Sequence, residues 1–134
     1  MEEKIKLSLK EEIKVLKELL QLLDDQHKYI SFKKTFELDK VSTDIEEKCK
    51  QLAEKEMNRR KLIGDSSMQE LIKHTKDDEL KVRYKETLNT LREIKIQKDS
   101  NDMLIKQAIS LTTNMLTILN PDRTPKTYGP YGRR

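Results

Sequence analysis

The chain has 134 residues, of which 28 are basic and 24 acidic, giving a net charge of +4 and a charged fraction of 39%. That length provides one domain with a modest core, and Leu, Ile, Val and Phe still make up about a quarter of it, above the level at which chains stay disordered. Aromatic residues are 4% and tryptophan is absent, which argues against a bulky enzyme core and for long, thin helices that each bury one stripe.

All three prolines (Pro121, Pro125, Pro130) and two of the three glycines (Gly129, Gly132) lie in the last 14 residues. Residues 1–120 hold only Gly64, so helix breakers are nearly absent from the body of the chain. Apolar residues there recur three or four apart, the helical period. A first helix over 3–37 carries Leu9, Ile13, Leu16, Leu20, Leu23, His27 and Ile30 on one stripe, and Val15, Leu19 and Leu22 beside it. So wide a face predicts contact with more than one neighbour. Tyr29, Phe32 and Phe36 follow i, i+3, i+7 spacing and read as an aromatic plug at one end of a bundle.

A second helix over 40–62 carries Leu38, Val41, Ile45, Cys49 and Leu52 as its stripe, with Cys49 a small core hydrophobe. Thr43 and Glu46 are either a capping box or an exposed pair inside a continuous helix. Gly64-Asp65-Ser66-Ser67 is the one clear internal break, and Ser67-x-x-Glu70 restarts a short helix over 67–75. Thr75, followed by acids, reads as the cap of a long helix over 77–119. Asp99-Ser100-Asn101-Asp102 is its weakest point by propensity and is expected as a bend or exposed turn of one helix, with two separate helices as the alternative. The fold class is therefore all-α: an antiparallel bundle of long helices with coiled-coil-like packing over 1–120, then a flexible Pro/Gly-rich tail over 121–134.

Residues 107–121 contain no charge at all. With Leu104 set at zero and about 100° per residue, Ala108, Leu111, Met115 and Ile118 fall within about 40° of it. Ile105, Ile109, Leu116 and Leu119 form an adjacent stripe at roughly 60–140°, with Thr112 inside the arc. Gln107, Ser110, Thr113, Asn114, Thr117 and Asn120 occupy the opposite side. Two readings follow. The helix lies at the bundle centre, buried by its own chain, or one side is covered by a partner through helix-in-groove packing. Neutral polar groups on the back favour the second, because they cost less to desolvate than the Lys and Glu found elsewhere.

Catalytic chemistry is not expected. His27 and His74 lack a metal-like partner spacing; His27 falls on an apolar stripe, and His74 suits a helix C-terminus. Neither a phosphate-binding glycine loop nor zinc-ligand spacing occurs, so no metal and no cofactor are expected. The interleaved charges read as solvated helix surface, so no nucleic acid is expected either, although a pI near 9.0 keeps a weak binder as an alternative to test. The single cysteine fits a reducing cytoplasm, the N-terminus lacks the long apolar run of a secretory signal, and no membrane insertion is expected. Tyr128 and Tyr131, beyond the helices, either dock back on the bundle or anchor a partner.

The last helix, reading Asn101-Asp102-Met103-Leu104-Ile105 and continuing through Ile109, Leu111, Leu116 and Leu119, ends in Asn120-Pro121 and a Thr127-Tyr128-Gly129-x-x-Gly132 tail. In these features and in its length and helical layout the chain resembles the FlgN family of flagellar type III export chaperones. The resemblance implies a cytoplasmic, non-enzymatic chaperone, monomer or homodimer, for hook–filament junction proteins of the FlgK and FlgL type. Such chaperones bind the helical C-terminal segment of the substrate, prevent premature assembly and deliver it to the export gate. It places substrate binding on Leu104, Ile105, Ala108, Ile109, Leu111, Thr112, Met115, Leu116 and Leu119, and export-gate binding on Tyr128. The alternative expectation is a coiled-coil structural or adaptor protein that self-associates through the same stripes.

Overall fold

A computed structural model describes residues 2–64 and 67–119 of the chain. Four helices follow one another: α1 (Glu2–Ser31), α2 (Thr35–Ile63), α3 (Met68–His74) and α4 (Asp78–Leu119). No strand occurs among the described residues. The chain divides into two compact units, residues 1–101 and 102–134.

In the first unit α1 is the spine. Of its buried residues, Leu9, Ile13, Val15, Leu16, Leu19 and Leu23 come from the two predicted stripes, while Ile5 and Glu12 extend them. Acids at Glu2 and Glu3 and a base at Lys28 match the helix dipole at either end. The helix α2 runs back along it: Lys48 meets Glu18 at 3.0 Å, Lys55 meets Glu11 at 3.4 Å, and Arg59 meets Glu12 at 2.8 Å. The last pair is the energetic one. Glu12 is almost fully buried and Arg59 grips both its oxygens, so removing Arg59 leaves a buried charge, at a cost of about 3–5 kcal/mol. The more exposed pairs add little.

The first part of α4 lies along α1 in the parallel sense, since Lys6 meets Asp77, Lys17 meets Glu86, and the backbone of Leu23 meets Asn101. Three long helices thus run up, down and up. The short α3 closes one end: Met68, Leu71 and Ile72 pack on a buried cluster of Ile5, Leu9, Ile63 and Leu80. Each such fully buried aliphatic contributes about 1.5–3 kcal/mol.

The α1–α2 junction differs from the expected helix over 3–37. The helix α1 stops at Ser31, and α2 begins at Thr35, not at 40. Lys34 N–H donates to the Tyr29 carbonyl (2.9 Å) and Lys33 N–H to that of Ile30 (3.2 Å), a Schellman ending with Lys33 at φ 57°. Glycine usually holds that left-handed position; lysine there costs about 1 kcal/mol. With no glycine or proline to mark it, the break is silent in the sequence. It also overturns the aromatic plug, because Phe32 and Phe36 are 70% and 81% exposed.

Cys49 is exposed, contrary to its expected core role. The α2 seam runs Val41, Ile45, Lys48, Leu52, Lys55, Arg59, so after Ile45 it steps three residues, to Lys48, and passes beside Cys49. Thr43 lies inside continuous α2, its hydroxyl donating to the Asp39 carbonyl. Ser67 caps α3 as expected, accepting from Glu70 N–H at 3.1 Å. For α4 the cap is Asp77, not Thr75: Asp77 Oδ1 accepts from the N–H groups of Glu79 and Leu80 at 3.1 and 3.3 Å. Thr75 is buried one step away, donating to Glu2 (2.7 Å) and accepting from Asp77 N–H (3.1 Å). Lys6 holds the other Asp77 oxygen at 2.9 Å, and this hydrogen bond pulls the Asp77 carboxyl below the usual carboxylate range.

Residues 99–102 lie inside one helix, as expected over the two-helix alternative, but Asn101 is not in an exposed turn: it is 1% exposed. Its amide donates at 2.8 Å both to the Leu23 carbonyl and to Gln26, and its oxygen accepts from Gln97 at 3.0 Å. His27 Nδ1 lies 3.2 Å from the same oxygen. The packing thus overrides asparagine's poor helix propensity by satisfying its amide fully.

Candidate protein-binding face

The second unit carries the charge-free run, and its helical part is the continuation of α4. Among the side chains described there, Ile109 is 61% exposed, Leu111 54%, Met115 52% and Leu116 57%. Leu104 and Ile105 are half-buried and Ala108 is exposed. The reading in which this helix is buried at the centre of its own bundle therefore does not hold for these residues. Of the remaining sequence candidates, the side chains of Thr112 and Leu119, and all of Tyr128, lie outside the described residues.

The face has two components. Leu104, Ala108, Leu111 and Met115 step 4-3-4, and Ile105, Ile109, Thr112 and Leu116 step 4-3-4 beside them. This is the spacing that keeps a helical seam toward a partner helix. The heptad frame of the first stripe is also that of the packed seam earlier in α4, where Leu80, Thr87, Thr90 and Asn101 are buried. One frame thus carries a partly polar seam that is covered and an apolar seam that is open.

On the polar side, two hydroxyls are already satisfied within the helix. Thr113 donates its hydroxyl to the Ile109 carbonyl (3.0 Å) and Thr117 to that of Thr113 (3.1 Å). Donors already satisfied within the helix lose little when water is removed.

Met103, 62% exposed, is an apolar residue the sequence arc left out. It sits on the polar side of the helix, about 100° from Leu104, and carries no pattern of its own. Elsewhere in the molecule, a groove of about 480 Å³ between α1 and α4 is lined by Lys17, Gln21, Asp24, Glu93 and Gln97 with Leu20 and Ile96; its charged rim does not suit an apolar segment. Among the described residues no cluster of His, Cys, Asp and Glu is arranged to hold a metal ion, and no helix is long and apolar enough to cross a membrane.

These features define an all-helical protein whose longest helix presents an open apolar face. The chain belongs to the FlgN protein family, whose model matches residues 1–134. No curated protein and no solved structure matches it. The family implies a flagellar export chaperone kind of role, is not known as enzymatic, and suggests binding to flagellar hook-associated proteins.

Proposed function

We propose that this protein is a cytoplasmic export chaperone for hook–filament junction proteins of the FlgK and FlgL type, whose helical C-terminal segment it covers until delivery to the export gate. The observation that carries this reading is the exposure of Ile109, Leu111, Met115 and Leu116 on a helix without charge. Leu104, Ile105, Ala108, Thr112 and Leu119 belong to the same face by position. If four or five of these side chains are buried on binding, each offers about 1.5–3 kcal/mol before the costs of association. The substrate's own apolar stripe is thereby shielded from self-association.

Co-expression with a FlgK- or FlgL-type protein from the same genome should yield a stable complex. Leu111→Glu and Leu116→Glu should remain helical by circular dichroism and lose that complex; full binding by both folded variants rules the face out. Tyr128 is assigned to the gate from the family resemblance alone. Tyr128→Ala should leave substrate binding intact and weaken binding to the export gate, and an unchanged gate affinity removes that role.

A second reading, self-association through the same seams, is favoured by the 4-3-4 spacing of the exposed residues. It predicts a concentration-dependent oligomer of the isolated chain in analytical ultracentrifugation.

A further inference from the structure

We infer that the open face of α4 is built for two helices of one partner chain, such as a helical hairpin, and not for a single helix; the inference rests on the chaperone reading above. The argument comes from the molecule's own packing. On α1, buried and half-buried residues come as adjacent pairs, Glu12/Ile13, Val15/Leu16, Leu19/Leu20 and Leu22/Leu23, stepped three or four apart. Two helices flank that double stripe: α2 meets Glu12 within it and Glu11 and Glu18 beside it, and α4 meets the Leu23 carbonyl within it and Lys17 beside it.

The later part of α4 repeats the double pattern of α1. Its pairs are Leu104/Ile105, Ala108/Ile109, Leu111/Thr112 and Met115/Leu116, again stepped three or four apart. An arc of about 160° exceeds the stripe of roughly 100° by which a helix commonly faces its core. One covering helix would leave Ile109 and Leu116, or Leu111 and Met115, facing water. A second copy of this chain would bring its own α4 to one stripe and leave the other open, so a homodimer does not complete the site. The pairs span residues 104–116, so each covering helix needs about four turns, roughly 20 Å.

The test compares two probes against the full chain: a full-length FlgL-type protein from the same genome, and a synthetic peptide of its last helix alone. Leu111→Lys marks one stripe and Leu116→Lys the other, with helicity checked by circular dichroism. With the full-length protein, each variant should weaken binding at least about tenfold and the double variant about a hundredfold. With the single-helix peptide, one variant should abolish binding and the other should change it less than about twofold. A peptide that binds as tightly as the full-length protein, and is lost through both variants, overturns the two-helix inference and leaves the chaperone reading standing. Full-length binding insensitive to both variants, or no binding at all, overturns the face itself.

Discussion

Two stretches of the same helix make opposite use of one heptad frame. From Asp78 to Asn101, α4 buries Leu80, Thr87, Thr90 and Asn101, and its exposed side mixes Lys and Glu with the isolated apolar residues Val82, Leu91 and Ile96. From Asp102 onward it exposes Ile109, Leu111, Met115 and Leu116, and after Lys106 it carries no charge. Satisfied polar groups serve in the covered stretch because their partners are fixed: the Thr87 and Thr90 hydroxyls bond their own helix, and Asn101 bonds α1. Apolar groups serve in the open stretch because the hydrophobic effect is non-directional and asks only for area. The stretch that stabilises the fold and the stretch proposed to meet a partner should therefore be separable by mutation.

The largest expected contrast uses one substitution at two places. Leu16→Ala, at a site 1% exposed, should cost about 2–5 kcal/mol in urea unfolding. Leu111→Ala, at 54% exposed, should stay within about 0.5 kcal/mol. Equal losses would erase the division between fold and face. Next comes Asn101→Asp, which sets a carboxylate against the Leu23 carbonyl and Gln26 oxygen. It should lower stability by about 1–3 kcal/mol at neutral pH without reducing substrate binding.

A pH effect should follow in the first unit. Asp77 titrates below its ordinary value because Lys6 hydrogen-bonds it, and Glu86 does so because of Lys17. A depressed carboxyl contributes stability that is fully present above its unfolded value, about pH 4, and is lost as pH falls through its folded value. Asp77→Asn keeps a good helix cap but loses the ion pair. Its deficit against the wild type should be constant from about pH 5 to 8 and shrink below about pH 4, as read from urea melts. The smallest effect is a gain: Lys33→Gly relieves the left-handed residue ending α1 and should add about 0.5–1 kcal/mol.

Much of this architecture was legible in the residues, and the reasons are local. The scarcity of glycine and proline before residue 120 and the 3/4 spacing on α1 dictate helices, and Ser67-x-x-Glu70 marks the start of α3 by a bond formed within one turn. The exposed apolar run was legible for a related reason: charge is so dense elsewhere that its absence after Lys106 stands out.

What needed the tertiary structure was every decision between helices. The end of α1 at Ser31 depends on a lysine accepting a glycine's conformation, which no residue type announces. Cys49 lies on an apolar stripe by counting, yet the seam of α2 is set by which side chains α1 meets, and they pass beside it. Asn101 looked like a weak point because propensity measures a helix alone; its burial follows from a carbonyl and an amide supplied by α1. Short-range hydrogen bonds and hydrophobic spacing are written along the chain. Register, and with it which stripes are covered and which stay open, is fixed only when distant helices meet, because the energy that selects it lies in contacts between residues some 70 positions apart.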